Sequence, residues 1–356
     1  MLSALPCVLG AQGGLMLQGI ADAEFWSTDS GSNLLTRNHA RPGALGRVQL
    51  WGAAEPWRGI VFYALGEGAA GPAQNSNGRA DVTLDQAGVR YAPSSAFMID
   101  VGKMPHPVGT FAARRFSTRN PLIGEPDGYP VEYPVGVQVS GAGTHFDYRV
   151  AAVSLPVFHE GYVPDPTAAL RPAIGGGFTP FTGLRIGASA TWGPYLNASL
   201  PAQLLDGRPW QHYQQQIEAL DLAYSLDYLE LHAEWARGSY QVPTVASSLT
   251  GETWYVEAKY SLSPRLFVAA RAERNDYPFI RPAGAASWTW RDTDFEDGEL
   301  GLGYRVSAAL IAKVSYRADR WQRTPAVYAF IGPGGHALAL QLSQSFDVLE
   351  MFERLR

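Results

Sequence analysis

The densest group of residues able to act on a passing ion lies in one stretch, MPHPVGTFAARRFSTRNPLIGEPDGYPVEYP, at about residues 104–134. Its charges are segregated, with Arg114, Arg115 and Arg119 in the first half and Glu125, Asp127 and Glu132 in the second. Fixed charges of both signs held close together can sort ions by their field, so these side chains are candidates for charge-based selection. Ordinary solvated charge on an exposed loop is the competing reading. A second set recurs at every other position of alternating segments: Arg47, Arg90, Arg149, Arg185, Arg271 and Arg305, with Lys259, Lys313 and Arg317. Acids in the same phase oppose them, among them Asp22, Glu24, Asp100, Asp147, Asp221, Glu230, Glu234, Glu257, Glu273 and Glu299. The two signs nearly balance. That suits the wall of a wet interior, although opposite charges on neighbouring strands also simply pair.

Catalytic chemistry needs a nucleophile with a base, paired carboxylates in a pocket or a metal cluster, and no specific pattern of this kind is present. There is no Gly-x-Ser-x-Gly elbow. The seven histidines are scattered without metal-motif spacing, and His159-Glu160 and His232-Ala233-Glu234 are the only suggestive neighbours. Gly175-Gly176-Gly177 lacks the strand-loop-helix setting of a phosphate cradle and instead suggests close packing inside a strand. The chain is therefore expected not to be an enzyme and to need no cofactor.

The elements that must carry these charges alternate apolar and polar residues at a period of two. From Trp254 to Val314 one phase holds Trp254, Val256, Ala258, Tyr260, Leu266, Val268, Leu300, Leu302, Leu310 and Val314, and the other holds most of the charges. A charged face on nearly every strand leaves little to cover the apolar face, a conflict resolved by water inside and lipid outside. The expected fold is all-β, an up-and-down antiparallel transmembrane β-barrel of about 16 strands, the first at about Leu15 to Trp26 and the last at about His336 to Val348. Connections after even-numbered strands are tight, as at Pro56-Trp57-Arg58, Asp227 and Ser263-Pro264, and would be periplasmic turns. Those after odd-numbered strands, such as Thr28 to Ala44, Gly68 to Ala80, Gly193 to His212 and Asp276 to Asp294, are long and would face outward from the cell. Aromatics fall into two belts on this arrangement. Tyr91, Phe146, Tyr148, Tyr228, Tyr260, Tyr304 and Phe346 mark periplasmic ends, while Phe25, Trp26, Trp192, Trp235, Trp254 and Tyr316 mark outer ends.

Residues 14–348 form one barrel, with residues 349–356 a C-terminal extension. Residues 1–13 hold a short apolar run, Leu2 to Leu9, followed by Ala11-Gln12-Gly13. This is read either as the remnant of a secretory signal peptide without its basic start, or as a native N-terminus. The net charge of -5 comes with scattered Lys and Arg, so a nucleic-acid partner is excluded. The single cysteine, Cys7, excludes a disulfide framework.

Sixteen strands, long outer loops and an oversized third loop make the chain resemble the Gram-negative outer-membrane porins, of the general and phosphate-selective types. The resemblance is architectural and spans nearly the whole chain. It implies a bacterial outer-membrane channel for ions and small hydrophilic solutes, narrowed by an infolded third loop, and a homotrimer embedded in outer-membrane lipid. Two departures stand out: the chain continues past Phe346 for ten residues, and the arginine and lysine row of phosphate-selective channels is missing. The alternative is a structural barrel that sheathes or anchors a periplasmic protein, lipoprotein or cytochrome. On the channel reading, neutralising Arg114, Arg115 and Arg119 should shift ion preference toward cations.

Overall fold

Alternation at a period of two leaves each strand with one apolar and one polar face, and pairing all strands in a ring satisfies every backbone donor without an exposed edge. The structure, a computed structural model, describes residues 14–29, 43–71, 80–128, 132–154, 169–196, 204–283, 287–323 and 334–354. It is a closed antiparallel barrel in which each strand pairs with its neighbours in sequence and the first pairs with the last. The strands are β1 (Leu15–Thr28), β2 (Gly43–Trp57), β3 (Ile60–Ala70), β4 (Asp81–Ser94), β5 (Phe97–Lys103), β6 (Val135–Ala142), β7 (Phe146–Val153) and β8 (Arg171–Phe181). They continue as β9 (Leu184–Pro194), β10 (Gln214–Leu226), β11 (Leu229–Tyr240), β12 (Leu249–Ser261), β13 (Leu266–Ala283), β14 (Ser287–Arg305), β15 (Leu310–Arg323) and β16 (Gly334–Asp347). Among the described residues no helix is long and apolar enough to cross a membrane.

Turns between even- and odd-numbered strands are tight. Gly59 (φ +79°) and Gly183 (φ +98°) sit in two of them in the left-handed region, where a side chain is strained. The segment 1–13 lies outside the described residues, as do the middles of the loops after β1 and β3. Two expectations are corrected, the loop from Asp276 to Asp294 and the place of Trp26, and the C-terminal extension gains a form that the sequence left open. Asp276 to Asp294 is not a loop, because β13 and β14 extend to Ala283 and Ser287 with slips beside Pro278 and Ile280. Tyr, Phe, Ile, Thr and Trp in this stretch favour strand, and its prolines are tolerated at such irregularities. Residues past β16 form a short helix, α1 (Val348–Arg354), capped by the Asp347 carboxylate, which accepts from the Leu349 and Glu350 amides at 2.9 and 3.2 Å. Trp26 does not join the outer aromatic belt; it points inward and is buried against Ile123.

The outward face is apolar from β1 to β16. Leu300, Leu302, Leu338, Leu340 and Leu342 are exposed there, as are Phe146, Tyr148, Tyr260 and Tyr304 near the tight turns. Leu340 is flanked across the sheet by Phe25 and Val314 at mid-strand. Leu340→Arg is expected to destabilise the folded barrel by about 2–4 kcal/mol, the cost of a lipid-facing cation near the bilayer centre. Denaturant titration in phospholipid vesicles measures this. The lumen-facing substitution Gln138→Arg should cost far less, and equal costs would mean the two faces are wrongly assigned.

Candidate pore site

Because strand parity sets side-chain direction, the pairing registers place Arg47, Arg90, Arg149, Arg185, Arg271, Arg305, Asp100 and Glu273 on the inner face. Asp22 opposes Arg47, Arg90 opposes Asp100, Arg149 opposes Gly175, Arg185 opposes Ala223, Glu273 opposes Asp297, Arg271 opposes Glu299, and Arg305 opposes Ile311. Most are ion-paired along the wall. Arg47 meets Asp22 at 3.0 Å, Arg90 meets Asp100 at 2.8 Å, Lys259 meets Glu230 at 2.6 Å, and Arg185 bridges Asp147 and Asp221. Arg271 lies between Glu257 (3.4 Å) and Glu299 (2.8 Å), and Arg317 bonds Asp297 and Glu273. Gly175 and Gly177 lie beneath the Arg149 and Arg185 side chains, where an added methyl would collide with each arginine. The glycine run thus lets these arginines lie flat against the wall.

The third loop leaves β5 and returns to β6 through a two-bond neck, Met104 N–H to Pro134 O (3.0 Å) and His106 N–H to Glu132 O (2.9 Å). Its side chains bond to inward groups on many strands. The Thr110 amide and hydroxyl donate to Glu234 on β11, Arg114 to Glu257 (2.7 Å) and Tyr255 on β12, and Ser117 to Asp22 on β1 (2.6 Å). Arg115 reaches Glu67 (2.8 Å) on β3 and Asp85 (2.5 Å) on β4. Further along, Glu299 accepts the Ile123 and Gly124 amides, Lys313 donates to the Asn120 and Leu122 carbonyls, and Asp127 pairs with Arg317. Glu125 sits in the field of Arg115 and Arg47. Arg119 is exposed and donates to the Ala113 carbonyl at 3.2 Å. The loop's charges therefore meet mostly wall charges of opposite sign.

No protein-family model matches the chain, and no curated protein matches it. Solved structures do. The Salmonella typhi OmpF complex with daunomycin aligns with a TM-score of 0.64 at 13% identity, covering 94% of this chain and 98% of that one. The anion-selective porin from Comamonas acidovorans gives 0.62 at 10% identity, covering 94% and 100%; OmpT of Vibrio cholerae, in vitro folded and in trimer form, gives 0.59 at 11%, covering 94% and 99%.

The chain has the outer-membrane porin fold.

The apolar outward band of this fold suits a lipid bilayer. Sequence reasoning missed several residues that hold the third loop. Asp85 is off the inward phase of β4, but a slip in the pairing beside Leu65 and Gly66 turns it inward toward Arg115. Glu67, Tyr255 and Asp297 stand in the inward phase of β3, β12 and β14 with Leu65, Glu257 and Glu299, so alternation alone could have found them. The interior of the porin barrel is also not uniformly wet. Val108 and Phe111 of the third loop pack with Ile217, Ala219, Ala236, Tyr240 and Tyr255 of β10–β12 and with Tyr195, Leu196 and Tyr213 of the fifth loop. Only the apolar residues standing in the polar phase, Ile217 and Tyr255, signalled this.

Burial at the neck raises the Glu132 carboxyl to about 7, with Lys103 opposing the shift. A raised carboxyl favours the neutral form in the fold, so its stabilising contribution is full below the ordinary carboxylate range and is lost as pH rises through about 7. Amide exchange at the neck, corrected for intrinsic rate, should be slower at pH 5 than at pH 8, and Glu132→Gln should abolish the difference. An unaltered difference in the variant would assign the effect to another group.

Proposed function

We propose that this porin-fold barrel is a passive, non-enzymatic channel for ions and small hydrophilic solutes, restricted by a third loop folded into its lumen. The observation that carries the reading is the divergence of two consecutive residues. Arg114 pairs with β12 while Arg115 pairs with β3 and β4, strands on opposite sides of a sixteen-membered ring. A loop held to both walls must cross between them. The charged wall supplies the water-filled surface that polar solutes need, and its mutual pairing argues for weak selection along most of its length. Homotrimer assembly, stated for the Vibrio cholerae protein's trimer form, belongs to the same reading. A sheath around a folded partner would need the volume that the loop contacts occupy, and no observation favours it.

Swelling of liposomes holding the purified protein tests the proposal. Small neutral sugars should enter and cause swelling, with the rate falling steeply as solute size increases. Liposomes that contain folded protein yet never swell with the smallest sugar would refute it.

A further inference from the structure

Between the third loop and the inner wall of β11–β15 lies a cavity of about 300 Å³, near the periplasmic ends of those strands. Five cationic side chains line it, Arg114, Arg119, Lys259, Arg305 and Lys313, against two carboxylates, Glu230 and Glu257. Those carboxylates are engaged by Lys259 and Arg114. Asp22, Glu24 and Glu299 also act on Lys313 through their charge, and they have cations of their own: Arg47 for the first two and Arg271 for the third. Lys313 itself is buried and donates to two neutral carbonyls, those of Asn120 and Leu122. Arg305 has no ion-pair partner among the described residues, and Arg119 projects into the same space. Positive charge is thus in excess along this lining, with five cations against two carboxylates. Ser117, Thr118 and Asn120 add neutral polar groups to the lining.

Resting on the channel reading, we infer that this cavity is a periplasmic-side binding site for small doubly charged oxyanions, held by Arg119, Arg305 and Lys313. Guanidinium groups suit such ligands because each presents several donors in a fork that matches a carboxylate or phosphate edge. Attraction would be strongest where low-dielectric walls focus the field, as they do around buried Lys313.

Titration calorimetry of the full-length protein in detergent, with succinate, inorganic phosphate and monovalent acetate as probes, reads the site whether or not the barrel conducts. Succinate or phosphate should bind at least tenfold more tightly than acetate, and the double variant Arg119→Gln, Arg305→Gln should lose that preference while keeping its folded mobility on gels. Which dianion binds better distinguishes a dicarboxylate site from a phosphate site. Equal binding of all three anions, or a preference unaltered in the double variant, would overturn the inference. Dianion binding without any solute flux would instead refute the channel reading and leave the site standing.

Discussion

Replacing residues 108–128 with a short Gly-Ser linker is expected to raise single-channel conductance severalfold. The replaced segment contributes every bond to β1, β11, β12, β14 and β15 described above, so its removal returns that cross-section to water. The barrel should tolerate the change. Glu299, which loses the Ile123 and Gly124 amides, keeps Arg271, and water replaces the rest. The apolar residues left uncovered on β10–β12 are the main liability, and keeping Val108 and Phe111 in a second variant protects them. Conductance unchanged in both variants, with insertion intact, would show that the loop is not the restriction.

Arg271→Leu is expected to give the largest loss of stability, about 3–5 kcal/mol, because removing this member of a buried ion cluster strips Glu299 of its cation and leaves Glu257 with Arg114 alone. The Arg271 side chain is fully buried, lies 2.8 Å from Glu299 and 3.4 Å from Glu257, and donates to the Gly124 carbonyl at 3.1 Å. It therefore ties β12, β13 and β14 to the third loop through one guanidinium. Equilibrium unfolding in denaturant measures the loss, and Arg271→Leu combined with Glu299→Leu should recover part of it through the non-additivity of contacting sites. A loss below about 1 kcal/mol would mean that the cluster is solvated like a surface pair.

The strand ring and the inward direction of the wall charges were legible in the sequence because both are local. A period of two decides which face a residue takes, and Arg47, Arg90 and Glu273 obey it without reference to distant parts of the chain. Features that depend on long-range packing were not. Trp26 shares the phase of the inward Asp22 and Glu24, so its direction is local; what the sequence hid is its partner Ile123, nearly a hundred residues away. Asp85 was hidden by a one-residue slip that no alternation rule contains. The division of labour among Arg114, Arg115 and Arg119 was equally invisible, since two are committed to carboxylates on opposite walls and the third is exposed to the cavity. Neutralising all three together would mix a structural loss with an electrostatic one. Arg119, which bonds the Ala113 carbonyl within the loop, is the member whose substitution leaves the Glu257, Glu67 and Asp85 pairs in place.

Single-channel recording of the wild-type protein in a planar bilayer under a salt gradient tests the central claim most directly. Stepwise conductance that is steady and smaller than in the loop replacement, with a reversal potential displaced by Arg119→Gln, is the predicted result. Stable insertion with no current in the wild type, and none after the third loop is replaced, would contradict an open channel restricted by that loop.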